Sequence, residues 1–253
     1  MINTVILGIA FVAGTILLVL FGYFLMRRIA AAHVVSDSKD LAGSVIFRIS
    51  ALHGLILALV FAQQMFEYHK LQDETVREAS VITDIYFDIE RHGGPEILEI
   101  RTALQKYVAL VVNEEWQSLS EDGELSSAAW KEWEKIYDTL LDLEANTPRQ
   151  EDLRRFMLSD IRTVAEMRDR RAGHGLKTVS NMFWFAAISG IFLVSLAYYC
   201  FTPTLHHIVL IGIFAAFTGI ILFFIFSFSD PFGAPGALQA SAFERLLSNN
   251  FAD

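Results

Sequence analysis

Four stretches of the chain hold almost nothing but apolar residues, and the segment between the second and third mixes apolar and charged positions at helical spacing. Thr4 to Met26 runs for 23 residues without a charge. At 1.5 Å per residue that is about 34 Å of helix, enough to cross a hydrocarbon core of about 30 Å. A cleaved leader would carry its positive charge ahead of the apolar run. Here Arg27-Arg28 follow it and read as an anchor. The second stretch, Ala42 to Phe66, carries Arg48, Ser50, His53, Gln63 and Gln64 among its apolar residues. The third runs from Thr178 to Phe201 and the fourth from Leu205 to Phe228, joined by Thr202-Pro203-Thr204 in an antiparallel hairpin. Trp184, Tyr198 and Tyr199 lie near the ends of the third, where interfacial aromatics gather.

The middle segment predicts helices throughout. No Gly or Pro falls between Leu55 and Arg91, so the second span continues as one unbroken helix until His92-Gly93-Gly94-Pro95 stops it. Glu96 to Trp116 places Ile97, Ile100, Leu104, Tyr107, Val108 and Val111 on one face. A polar loop is expected over Ser118–Ser126. Then comes a helix over Ser127–Glu144, with Trp130, Trp133, Tyr137, Leu140 and Leu141 as its stripe. Thr147-Pro148 with Gln150 forms a capping box that opens the next helix, whose buried face is Leu153, Phe156, Met157, Ile161 and Val164. Arg168 to Arg171 complements that helix's C-terminus, and Gly173-His174-Gly175 is read as a hinge into the third span. The expected class is an all-α membrane protein. It has spans 1 and 2 in residues 1–66, a helical domain in 67–177, spans 3 and 4 in 178–229 and a tail in 230–253.

Charge sharpens this division. Glu67 to Lys177 holds 15 Lys/Arg and 24 Asp/Glu, a net −9, whereas the rest holds 5 of each. An acidic domain argues against nucleic acid, which selects clustered Lys/Arg. The flanks of the middle segment (Lys70, Arg77, Arg168, Arg170, Arg171 and Lys177) outnumber Arg27, Arg28 and Lys39 in the first loop. That count puts the middle domain and both termini in the cytoplasm of a multi-pass protein of the cell (inner) membrane. The lone Cys200 excludes an internal disulfide framework.

No constellation for enzyme chemistry is present. Glu114-Glu115 are about 100° apart on a helix, cannot face each other as an acid/base pair, and read as a solvated edge. His206-His207 sits in the short turn as a headgroup-level polar contact. No spacing of a metal site or phosphate loop occurs, so no metal and no cofactor is expected. The second span stands apart. Ser50, His53, Leu57, Val60, Phe61 and Gln64 fall on one side of its helical wheel, a stripe with polar ends and an apolar middle. Such a stripe suits the lining of a pore with a hydrophobic constriction. Taken alone, the pattern suits a helix–helix seam better, with Gly54 allowing close approach.

Several residues in order resemble the bestrophin-like membrane domain family of bacteria and plants. They are the Gly54–Ala62 helix, Glu78-Ala79, Tyr86, Tyr107, Glu115-Trp116, Arg168 with Arg170-Arg171, Trp184, and Pro231-Phe232 after the last span. Two positions depart from the family pattern. Ser229 stands where an acidic residue is usual, and no proline precedes the third span. The resemblance implies a distant likeness to bestrophins, pentameric anion channels whose second span lines an axial pore and whose helical domain is cytoplasmic. On that basis the expected partners are the lipid bilayer, further copies of the chain and inorganic ions. The function implied is a homo-oligomeric ion channel. The alternative is a membrane-anchored interaction or sensory module whose helical domain docks a partner.

Overall fold

The computed structural model describes residues 2–30, 38–175 and 179–251. Its helices are α1 (Ile2–Ala30), α2 (Ser38–His92), α3 (Ile97–Leu110), α4 (Trp116–Glu121), α5 (Ser127–Asp142), α6 (Pro148–Gly175), α7 (Asn181–Ala197), α8 (Leu205–Ser229) and α9 (Ser241–Asn250). A π-helical turn, Val111–Glu115, joins α3 to α4, and a 3₁₀ turn, Tyr198–Cys200, ends α7. No strand occurs among the described residues, so the all-α expectation holds. Four helices are long and apolar enough to cross a membrane: α1, α2, α7 with its 3₁₀ turn, and α8. α2 continues without a break to His92, as its lack of Gly and Pro after Leu55 dictates. The step into the third span, including Lys177, lies outside the described residues.

The chain divides into two compact units: Met1–Phe66 with Thr178–Ser229, and Glu67–Lys177 with Asp230–Asp253. In the first, Val19, Tyr23, Leu57, Ala187, Ile191, Ile211, Ala215 and Ile225 form the core. With only hydrocarbon outside, helices here gain from close backbone approach rather than from hiding apolar surface. Two glycines supply it. A Cβ on Gly219 of α8 would lie 2.9 Å from Val12 Cα of α1, and one on Gly22 of α1 would run into Ser195 Oγ of α7. At the far end of α1, Tyr23 Oη and Arg27 Nη1 donate to Phe201 O at 2.9 and 2.8 Å, satisfying the carbonyl that opens the α7–α8 turn. His207 Nδ1 meets Thr202 O at 2.7 Å within the same turn.

In the second unit α2, α3, α5, α6 and α9 surround one apolar cluster built on Ile82, Ile85, Ile89, Leu104, Ile136, Leu140, Met157, Ile161, Val164 and Phe243. Ser126 Oγ caps α5 by accepting from Ala129 N. The box at α6 forms with a twist: Thr147 Oγ1 accepts from Gln150 N, while Gln150 Oε1 accepts from Asn146 N, one residue before the cap. Several boundaries differ from expectation. The expected loop over Ser118–Ser126 is helical as far as Glu121, and α6 takes in Gly173–Gly175 as its last residues. Leu141 and Phe156, expected in the core, are 44% and 60% exposed.

One strained spot is electrostatic. Burial, then the neighbouring Asp84 and Asp88, raise the Asp160 carboxyl above its ordinary 3.8. A raised carboxyl favours the folded state at low pH, and that favour is lost as pH rises through the folded pKa. Asp160→Asn should therefore stabilise the protein at pH 7, by about 0.5 kcal/mol given the exposure of the site. Thermal melts at stepped pH should show the advantage shrinking as pH falls towards 3.8.

Candidate functional site

The stripe on α2 is the face that this helix turns to α7 and α8. His53 is 6% exposed and Leu57 2% exposed, while Ser50, Val60, Phe61 and Gln64 keep part of their surface open. Phe61 meets Phe224 and Phe228 of α8 at centroid distances of 6.3 and 6.1 Å. Gly190 of α7 makes the close approach expected of Gly54: a Cβ there would strike the His53 ring, whereas one on Gly54 would meet nothing within 4 Å. Ser50 Oγ and His53 Nε2 are buried one turn apart without a hydrogen-bond partner. Intramembrane polar groups are costly and ordinarily face an interior or water. The stripe thus combines packing against its own chain with polar atoms not yet used.

A second constellation lies in the other unit, and sequence reasoning missed it. Glu78 of α2, Tyr107 of α3, Glu115 at the end of the π-helical turn, and Arg168 and Arg171 of α6 meet in one buried cluster. Arg171, Glu78 and Glu115 are no more than 1% exposed and Arg168 is 3% exposed. The reading of Glu115 as a solvated edge is therefore corrected; only Glu114 is exposed. Arg171 bridges the two carboxylates, donating through Nη1 to Glu78 and through Nη2 to Glu115. Arg168 grips Glu115 with Nε and Nη2, at 3.0 and 2.6 Å from Oε2. Glu78 Oε1 also accepts from Tyr107 Oη at 3.2 Å, and Glu115 Oε2 from the Ser126 backbone N–H at 3.0 Å.

Two guanidiniums face two carboxylates, so the cluster is neutral as a whole. That balance, with bidentate geometry, is what lets four charges stay dry. Burial raises the Glu78 carboxyl, against the opposing pull of Arg171. Burial also drives the Tyr107 phenol well up, with Glu78 adding to it. For Arg171 burial acts downward, but the two carboxylates outweigh it and hold the proton more tightly than usual. Aromatic rings close the cluster. The Arg171 guanidinium lies 5.4 Å from both the Trp116 and Phe243 centroids, and Arg168 lies 5.5 Å from that of Trp130. Trp116 in turn donates to Leu238 O at 2.7 Å and packs on Phe232, so residues after the fourth span form the cover.

Among the described residues no group of three or more His, Cys, Asp or Glu side chains is placed to hold a metal ion. The cluster balances its own charges, although the buried Arg171 Nε has no hydrogen-bond partner, and among the described residues it presents no free nucleophile. Its chemistry is that of a tie between α2, α3 and α6. The residues that meet in it (Glu78, Tyr107, Glu115, Trp116, Arg168 and Arg171) are ones on which the family resemblance rests.

No curated protein matches the chain, and no solved structure does. A family model described as the bestrophin-like domain matches residues 13–243. That span takes in α1 from residue 13, the other three membrane-length helices, the buried cluster and the segment covering it, and on it the chain belongs to the bestrophin-like domain family.

Proposed function

We propose that the chain is one subunit of a homo-oligomeric ion channel whose second span lines the conduction path, with the middle unit and both termini in the cytoplasm. The observation that carries this reading is the extent of the family match, which covers spans and middle unit together. The resemblance to bestrophins, pentameric anion channels, supports the reading at the level of the family. A single four-helix chain encloses no wide channel, so symmetry supplies the rest of the wall. Of the six stripe residues, Ser50, Val60, Phe61 and Gln64 keep surface with which to face an axis. His53 and Leu57 back the wall against α7 and α8. Phe61 is then the apolar constriction, excluding ions by dewetting until the path widens. The net −9 of the middle segment repels anions wherever it faces the path, so selectivity depends on which surface the axis meets.

The burial of Leu57 and His53 within their own chain favours a second reading, in which the spans anchor and oligomerise a docking module. Flux from proteoliposomes, measured separately for anions and cations, distinguishes the two. In a channel, Phe61→Ser should raise flux several-fold at unchanged assembly size, whereas Leu57→Ala should chiefly cost about 2–5 kcal/mol of stability. A correctly assembled Phe61→Ser protein that stays ion-tight leaves the docking module as the better account. Intact cells report orientation. With Cys200 buried, a Ser120→Cys probe should resist labelling from the extracytoplasmic side.

A further inference from the structure

Arg48 is the single Lys, Arg, Asp or Glu in the four apolar stretches 4–26, 42–66, 178–201 and 205–228. It stands six residues inside the second of them, about 9 Å along the helix axis from Ala42. Leu41, Val45, Leu52, Leu55 and Leu59 share its face of α2, spaced alternately four and three residues apart. All five are exposed, from 39% at Val45 to 69% at Leu41, and Arg48 is exposed among them. This face is turned away from the stripe. Arg48 lies about 160° round the helix from Ser50 and about 140° from His53, so α7 and α8 do not cover it.

A guanidinium at that depth needs a counter-charge, because ionised groups in hydrocarbon are costly. Among the described residues Arg48 has neither an ion pair nor a hydrogen bond. No span of this chain holds a carboxylate, and a second copy brings only the same four spans. Asp40 stands two turns earlier on α2, about 12 Å along its axis. Asp37 comes before it, outside the described residues. From Arg27 to Arg48 four cations meet only these two acids, which leaves a surplus of two positive charges. The counter-charge must therefore come from outside the protein. A long apolar stem lets the guanidinium reach towards the headgroups, and its planar fork matches a pair of phosphate oxygens.

We propose that Arg48 holds the phosphate of an anionic phospholipid, whose acyl chains lie along the exposed Leu52, Leu55 and Leu59. A net-negative headgroup is favoured because it offsets the surplus charge, whereas a zwitterionic one brings its own ammonium to the same phosphate. The inference needs only that α2 crosses a bilayer, and stands whether or not the protein conducts ions.

Full-length protein in mild detergent, read by native mass spectrometry, provides the test. Wild type should hold one phosphatidylglycerol per chain more tightly than the rest. It should prefer that lipid about tenfold over phosphatidylcholine with the same acyl chains, equivalent to about 1.4 kcal/mol. Arg48→Gln should abolish the preference, and Arg48→Met should do so without offering an amide. Arg48→Lys should keep part of it, as a point charge without the fork. Lys106→Gln removes one positive charge from an exposed position on α3 and should change nothing. Inorganic phosphate should not displace the lipid. Equal preference in wild type and both neutral variants overturns the proposal. Displacement by inorganic phosphate also overturns it, by giving the site to a soluble anion. So does a change of assembly size in the neutral variants with the preference kept, which would assign Arg48 to a contact between copies.

Discussion

Arg171→Ala should cost the protein about 3–5 kcal/mol, the range for breaking a buried ion pair from one side. Total stability of a folded domain is about 5–15 kcal/mol, so the middle unit would be brought close to unfolding. The reason is the geometry around the guanidinium. It alone reaches both Glu78 and Glu115, and without it Glu78 keeps only the Tyr107 hydroxyl. Arg168 continues to hold Glu115, so the damage centres on α2. Arg171→Lys should recover part of the loss, since one ammonium cannot span two carboxylates as the fork does. Adding Glu78→Gln to Arg171→Ala should then restore stability, because the orphaned charge is removed with its partner. Denaturant melts of the full-length protein measure all three. Simple additivity of the two single substitutions would mean that the pair does not interact.

Gly219→Leu is expected to separate α8 from α1, at a cost of about 3 kcal/mol, the upper part of the range for overpacking a filled site. The first added carbon would lie 2.9 Å from Val12 Cα and 3.1 Å from Phe11 O, and backbone has nowhere to rotate. Gly219→Ala should already be felt, whereas Gly212→Leu on the same helix should be nearly silent because its site is open. The contrast tests whether unit packing depends on that one approach or on apolar content in general. Equal melting temperatures for the two leucine variants would place the α1–α8 contact elsewhere.

The spans were legible because their signal is length of apolar run, which the bilayer itself imposes. Their ends were less so. α1 outlasts its uncharged stretch by a turn because Arg27 spends its charge on turn carbonyls. The buried cluster was legible in principle. Glu115 continues the stripe Ile100, Leu104, Tyr107, Val108, Val111, and Arg168 and Arg171 continue Met157, Ile161, Val164 at the same spacing. Glu78 likewise interrupts Leu71, Thr75, Ile82, Ile85 and Ile89 on α2. Four charges at core positions of three helices are a signal only when they are considered together, because each needs the others to be buried. Comparing Glu115 with its neighbour Glu114, rather than with its own helix face, hid it. Exposed Phe156 and Leu141 lie at the margins of their stripes, where composition cannot say how far the partner helix reaches. The tail was missed for another reason. Ala242, Phe243 and Leu246 make too short a pattern to stand out, yet they are buried in a core whose other members lie far earlier, from Ala79 to Val164, apart from Phe251.

That last feature orders events during synthesis. The middle unit is built from two pieces of sequence, and the rings of Phe232 and Phe243 that shield Arg171 and Trp116 follow the fourth span. When residues 67–177 leave the ribosome, their charged cluster has no lid. It cannot be fully dried until α7 and α8 have been translated and the segment behind them has returned. At about 5–20 residues per second, that leaves several seconds in which the nascent unit is open. Quality control acting on the open form would thus discard chains whose last two spans fail to insert, before any assembly could begin.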